Sequence, residues 1–216
     1  MIGRCLGSMV VILALSAAAH AQPATAPADS KGYLEAVAQS AFGNVTSQSF
    51  GVEAGVTVQP RLQIFVEGGQ TRDTAPAALG ANAQLIAGFL SQTQSGVSFT
   101  VKQPVTFGVA GVRYGAMVGK VEPYVLGGVG AARVKRDVAF SVGGSDVTSN
   151  LQNLGVALGT DLSGSETKAM ISLGGGIAWP AWQRLVIDLQ YRYGRILTSD
   201  EGLNLHRAGV GVGVRF

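Results

Sequence analysis

The stretch that decides the fold is residues 206–216, which read His-Arg-Ala-Gly-Val-Gly-Val-Gly-Val-Arg-Phe. The valines and Phe216 occupy even-numbered positions of this stretch, whereas the glycines and Arg215 occupy odd-numbered positions. Successive side chains of a β-strand point to opposite faces, so the stretch has one apolar face and one small or polar face. A helical period would not separate the residues in this way. The pattern therefore predicts a strand with an apolar environment on one side only.

The same alternation recurs upstream, in segments 50–58, 62–67, 171–179 and 185–193. Each segment is close to the length of about 9–11 residues that a tilted membrane-spanning strand needs. Segments 32–41, 104–117 and 123–134 are weakly patterned, or apolar and glycine-rich on both faces, so we predict strands there without assigning their facing. Together these segments predict about eight strands.

The connections between these segments alternate in length. The short ones are 59–61, 118–122 and 180–183, and the longer ones are 43–48, 71–103, 136–167 and 196–204. Outer-membrane barrels have short periplasmic turns and longer extracellular loops. We therefore predict an all-β, eight-stranded, antiparallel, up-and-down transmembrane barrel. Short helices at 78–90 and 151–158, or strands that extend beyond the membrane, are alternative structures for the two longest loops.

Composition and the N-terminal residues indicate export. Charged residues make up only 13% of the 216 residues and glycine accounts for 31, where a soluble domain has roughly 25% charged residues. A basic start, an apolar run and Ala19-His20-Ala21 predict a signal peptide over residues 1–21, followed by a flexible periplasmic lead-in over 22–31 and the barrel over 32–216. Cleavage would remove Cys5, the single cysteine, and would leave 15 basic against 13 acidic side chains. This small positive excess does not indicate a nucleic-acid partner.

The chain resembles the small porin-like outer-membrane barrels of the OmpA/OmpX type. The residues that carry the resemblance are 122–130, 188–193 and 210–216. The resemblance implies a location in the outer membrane, contact with its lipid and lipopolysaccharide, and Phe216 as the signal read by the barrel-assembly machinery.

Ionisable residues on the polar parity are the first functional candidates. They are Glu35, Glu53, Glu67, Arg113, Asp188, Arg192 and Arg215. The interior of an eight-stranded barrel is just wide enough for side chains to fill, and charges enclosed there should pair. We expect a charge network that plugs the lumen, with a small passive channel as the alternative.

Aromatic residues and a histidine mark the expected ends of the strands. Tyr191 and Tyr193, and on the periplasmic side Trp179 and Trp182, are expected at the membrane interfaces. His206 would suit a lipid-modifying enzyme if a serine followed two residues later, but that position holds Ala208. We predict no catalytic, cofactor or metal site.

The expected function is therefore structural, or an interaction with an extracellular ligand through loops 71–103 and 136–167. A passive channel and a lipid-modifying barrel enzyme are the alternatives. A soluble β-sandwich is disfavoured because its outer face would carry more charge.

Overall fold

The computed structural model describes residues 31–159, 162–197 and 202–216. The predicted signal peptide and the lead-in up to residue 30 lie outside the described residues. The elements are β1 (Gly32–Phe42), β2 (Ser47–Gln59), β3 (Leu62–Thr71), α1 (Ala77–Leu90), β4 (Val97–Lys102), β5 (Val105–Gly115), β6 (Glu122–Val142), β7 (Ser145–Asp146), a 3₁₀ helix (Thr148–Leu154), β8 (Ser163–Trp182), β9 (Leu185–Ile196) and β10 (Leu203–Arg215). No helix among these residues is long and apolar enough to cross a bilayer.

Eight of the described strands form a closed antiparallel ring. Each pairs with its neighbours in the order β1, β2, β3, β5, β6, β8, β9, β10. The ring closes where β10 returns to β1, with a register that runs from Tyr33 opposite Arg215 to Phe42 opposite His206. Closure satisfies the backbone hydrogen bonds that an open edge would leave unpaired in lipid. The predicted eight-stranded all-β barrel is confirmed.

Side chains alternate between a buried interior and an exposed outer wall. On β10, Arg207 and Arg215 are buried, while Val210, Val212 and Val214 are about half exposed. The same two-residue period runs through β1, whose burial alternates at every residue from Tyr33 to Phe42. Because the exposed side chains are apolar, the outer wall is suited to contact lipid.

Turn length differs between the two ends of the barrel. The turns at 60–61, 116–121 and 183–184 lie at one end, together with the start of β1 and the end of β10. Arg61 adopts a left-handed conformation, with φ of 71°, in the first of these turns. The segments 72–104 and 143–162 connect strands at the other end. The connection at 43–46 is brief, because β2 begins at Ser47 rather than after Gln48.

Strands β6 and β8 extend beyond the barrel, which corrects the expectation of a loop over 136–167. β6 continues to Val142, and its upper part pairs with β4 on one side and with Ser163 to Ser165 of β8 on the other. β4 and β5 both pair with β6, and Gln103 and Pro104 interrupt them. Proline has no backbone N–H, so it interrupts a ladder of hydrogen bonds. Both suggested structures occur here, since the strands extend and α1 and the 3₁₀ helix fill the remaining loops.

These extensions, together with α1, β4 and the 3₁₀ helix, form a unit outside the barrel that we call the cap. The cap has an apolar core of its own. α1 contributes Leu79, Ala83, Ala87 and Leu90, and these pack with Val138, Phe140 and Leu151. At the base of the cap, Oδ1 of Asp73 accepts hydrogen bonds from the backbone N–H groups of Ala75 and Gln103, which connects the two ends of this segment. The cap core is separate from the cluster inside the barrel.

We predict that Leu90→Ala loosens the cap and leaves the barrel folded. Leu90 is buried in the cap core, and removing such a leucine costs about 2–5 kcal/mol. Limited proteolysis should cut residues 72–104 faster, while the folded barrel keeps its heat-modifiable gel mobility.

Leu85→Ala is the matched control, because Leu85 lies on the same helix and is 74% exposed. Its proteolysis rate should equal that of the unchanged protein. Equal protection of the two variants would contradict the assignment of Leu90 to a cap core.

Candidate functional site in the barrel interior

Strand parity directs all seven predicted ionisable residues into the barrel. Glu35, Glu53, Glu67, Arg113, Asp188, Arg192 and Arg215 are buried, each with less than a tenth of its surface exposed. They come from β1, β2, β3, β5, β9 and β10, and closure of the ring places those of β9 and β10 close to those of the first strands.

Arg113 lies at the centre of a cluster of carboxylates. Its Nη1 is 3.7 Å from Oε1 of Glu53, 3.9 Å from Oδ2 of Asp188 and 4.0 Å from Oε1 of Glu35. The guanidinium also lies 3.6 Å from the ring centroid of Tyr124. A cation over an aromatic face is attracted by the ring, which adds to the pairing with the carboxylates.

Two tyrosines orient the carboxylates of this cluster. The hydroxyl of Tyr33 donates to Oε1 of Glu53 at 2.7 Å, and that of Tyr124 donates to Oδ2 of Asp188 at 2.6 Å. Arg192 pairs with the other oxygen of Glu53. Glu53 is therefore held by three groups, and its position in the lumen is rigid.

A second ion pair lies nearer the long connections. Arg207 donates from Nη1 to Oε1 of Glu67 at 2.7 Å and from Nη2 to Oε2 at 3.4 Å. Its guanidinium lies 4.1 Å from the ring centroid of Phe107. Gln39 accepts a further hydrogen bond from Arg207 at 3.3 Å.

A third pair lies at the end with the short turns. There Nη1 of Arg215 is 2.6 Å from Oε2 of Glu122, and both residues are nearly buried. The interior charges are thus arranged in three levels along the barrel axis.

The sequence interpretation did not include Arg207 or Glu122 among the interior charges. Arg207 stands eight residues before Arg215 on the same parity of β10, so the alternation itself identifies it as inward-facing. Glu122 begins a strand that is apolar on both faces, and its inward direction follows only from pairing with neighbouring strands. Tyr33 and Tyr124 were missed as partners for the same reason.

Above the charged levels the interior carries uncharged side chains, both apolar and polar, and among the polar ones Thr71 donates a hydrogen bond to Ser49 at 3.1 Å. Val105, Val134, Met170 and Ile196 are at most 2% exposed and pack in one cluster. Val105 begins β5 and Ile196 ends β9, whereas Val134 and Met170 lie within β6 and β8, where the extensions of those strands begin. These side chains lie between the charge network and the cap.

The mouth beyond this layer carries a half-buried group of charges. Glu166 pairs with Arg136 at 2.5 Å and with Lys168 at 3.1 Å. The hydrogen bond from Lys168 and the nearby guanidinium of Arg136 lower the pKa of the Glu166 carboxyl. Glu166 lies outside the apolar band of β8.

The expected interface aromatics occupy the outer wall. Trp179 and Trp182 are 50% and 57% exposed beside the turn at 183–184, and Tyr191 is 43% exposed towards the opposite end. Tyr193 is half-buried against His206, with ring centroids 5.1 Å apart.

His206 lies on the outer wall, where Nδ1 is 2.7 Å from the hydroxyl of Tyr191. Asp200 and Glu201, its neighbours in sequence, lie outside the described residues. No group of three His, Cys, Asp or Glu side chains within the described residues is arranged to hold a metal ion.

Comparison with known proteins identifies this architecture. Among solved structures, the crystal structure of Neisserial surface protein A is similar, with 14% identity, a TM-score of 0.52, and coverage of 86% of this chain and 96% of that one. The N-terminal β-barrel domain of Pseudomonas aeruginosa OprF has 14% identity, a TM-score of 0.50 and the same coverage. A major outer membrane protein from Thermus thermophilus has 12% identity, a TM-score of 0.53, and coverage of 86% and 99%. At these identities the similarity concerns the fold.

No curated protein matches the chain in sequence. The model of the outer membrane protein beta-barrel domain family matches residues 9–216. The location predicted from the strand pattern, the bacterial outer membrane, is confirmed by this match. The short turns accordingly face the periplasm and the long connections face the cell exterior. The chain belongs to the outer membrane protein beta-barrel domain family.

Proposed function

We propose that this protein is a non-conducting, non-enzymatic outer-membrane barrel that presents its cap to the cell exterior for interaction with a ligand or partner. The observation that carries the proposal is the filled interior. Three levels of paired charges and one layer of uncharged, mainly apolar side chains lie in series along the axis. An ion that crossed the lumen would have to displace every one of these levels.

The energetics of the ion pairs support a plug rather than a selective pore. Removing one partner of a buried pair costs about 3–5 kcal/mol, because the other charge stays buried without compensation. The side chains of Arg207 and Glu67 are 1% and 2% exposed. Swinging either side chain aside to admit an ion would carry a comparable cost.

The environment of His206 supports a role other than lipid hydrolysis. Its ring faces outward, stacks on Phe42 with centroids 5.7 Å apart, and contacts the hydroxyl of Tyr191. A nucleophile activated by histidine must lie within hydrogen-bond reach of it. The hydroxyl in reach here is the phenol of Tyr191, and the position two residues after His206, where a serine would be needed, holds Ala208.

The cap supports a role in surface interaction. It has its own apolar core, so it can present a defined shape at the cell exterior.

Phe216 is proposed as the signal for the barrel-assembly machinery. Its backbone exchanges hydrogen bonds with Gly32 at 2.9 and 3.0 Å, beside the seam between β1 and β10.

We predict that the refolded protein gives no conductance steps in planar bilayers. In the proposed plug, paired charges and packed side chains fill the lumen, so the current should equal that of the bare membrane. Heat-modifiable gel mobility of the same sample establishes folding, and a general porin added afterwards establishes that the membrane can report a channel. Stable single-channel steps from the folded protein would overturn the plug and favour the passive channel.

A second prediction concerns the buried pair itself. Arg207→Ala should lower the free energy of unfolding in lipid vesicles by about 3–5 kcal/mol, because Glu67 is left buried and unpaired. Replacing both residues, as in Arg207→Met with Glu67→Leu, should recover most of this loss.

Lys135→Ala is the control, since Lys135 pairs with Asp137 at 3.3 Å on the exposed surface. It should change stability by less than about 1 kcal/mol. If urea titration gives the double variant the same loss as Arg207→Ala, the cost does not come from an unpaired carboxylate.

A further inference from the structure

One sector of the outer wall differs from the rest of the membrane boundary. Phe42 of β1, His206 of β10 and Tyr193 of β9 are direct cross-strand neighbours, opposite one another in the two registers. On the same face of β9, Tyr191 lies two residues from Tyr193 towards the periplasmic end. Arg195 and Asn204 are cross-strand neighbours, two residues beyond Tyr193 and His206 towards the extracellular end. We call these six outward-facing residues the wall patch.

The rings of the wall patch are mutually ordered. Phe42 and His206 stack with an interplanar angle of 16°, and Tyr191 lies 6.2 Å from His206 and 6.4 Å from Phe42. The hydrogen bond between Tyr191 and His206 fixes both side chains. Phe42 and Tyr191 remain 40% and 43% exposed, so their surfaces are available at the wall.

A polar group completes the patch on its upper side. Oδ1 of Asn204 accepts a hydrogen bond from the Tyr193 hydroxyl at 2.8 Å and one from Nη1 of Arg195 at 3.4 Å. Through Asn204, this arrangement links the Arg195 guanidinium to the Tyr193 hydroxyl at the upper edge of the ring cluster. Both Arg195 and Asn204 are exposed.

The apolar residues beneath the patch indicate its height relative to the membrane. The outward-facing residues of β10 below His206 are Ala208, Val210, Val212 and Val214. The patch therefore lies at the extracellular end of the apolar band, at the level of the outer-leaflet headgroups. Charged side chains are stable there, while they are costly a few residues lower.

The patch is confined to this sector. Among the described residues, the remaining ring–ring contact is that of Phe99 with Phe140, which lies in the cap. At the matching height on other strands the outward-facing residues are Phe50 on β2, Thr106 on β5 and Arg133 on β6. A uniform aromatic belt would not concentrate stacked rings beside an ordered guanidinium.

We propose that the wall patch binds the phosphorylated sugar headgroup of the outer-leaflet glycolipid. A glucosamine ring has an apolar C–H face, which packs on the exposed surfaces of Phe42 and Tyr191, and its phosphate accepts hydrogen bonds from Arg195. Tyrosine combines an apolar ring with a polar hydroxyl, which suits a sugar at a lipid boundary. Arginine is the side chain best matched to phosphate, through parallel N–H donors. The inference concerns the outer wall and is independent of whether the lumen conducts.

The experiment uses the protein purified from outer membranes and placed in phosphatidylcholine nanodiscs. Bisphosphorylated lipid A is titrated in, and the imidazole resonance of His206, identified by its loss in His206→Phe, is followed by NMR. We expect a saturable shift. Arg195→Gln should weaken the apparent Kd about tenfold, as expected for loss of a hydrogen bond to a charged group.

Arg133→Gln is the matched control, because Arg133 is an exposed, outward-facing arginine at the same height on β6. It should leave the apparent Kd within about twofold, since its charge is remote from the patch. Phe50→Ala is the corresponding control for Phe42→Ala, which should weaken binding. All variants must keep heat-modifiable mobility, which separates lost binding from lost folding.

Three results would overturn the proposal. One is the absence of a saturable shift with folded protein. Another is an equal loss in Arg133→Gln and Arg195→Gln, which would indicate general attraction to anionic lipid. A third is the same shift with phosphatidylglycerol at equal concentration, which would show that phosphate alone is read and the sugar is not.

Discussion

Closure of the hydrogen-bonded ring is the constraint on which the rest of this structure depends. In hydrocarbon each unpaired backbone N–H or C=O costs several kcal/mol, so β1 and β10 must meet. Once the ring is closed, successive side chains of each membrane-spanning strand point alternately towards the lipid and into the lumen. The charge network is a consequence of this closure, because its members come from seven different strands, and the arginines of β9 and β10 reach the glutamates of β2 and β3 only in the closed ring.

Parity along single strands was predictable from the sequence, whereas contact between strands was not. The alternation of β10 and β9 placed Arg215, Asp188 and Arg192 on the inner face from residue order alone. Which carboxylate meets which arginine depends on the stagger between neighbouring strands. Turn geometry and bulges, such as the register shift near Thr57 and Gln59, set that stagger, and single-strand patterns do not report it.

The strands with unassigned facing have a physical reason for their ambiguity. β5 and β6 place Phe107, Val109 and Leu126 inside the lumen, so both of their faces are apolar. Alternation is visible only where the two environments differ in polarity. The long connections were unpredictable for another reason. The cap core forms where α1 meets the upper part of β6 and the 3₁₀ helix that follows it, and α1 is distant from both in sequence.

The separation of the two cores has a consequence for the history of this chain. A substitution in the barrel must place a side chain that suits either the surrounding lipid or the crowded lumen, and it must still allow the barrel to assemble. A substitution among Leu79, Ala83 and Phe140 has only the cap to satisfy. The face that meets the environment can therefore accept substitutions without disturbing the part embedded in the membrane, and we expect the cap to diverge faster than the barrel among related proteins.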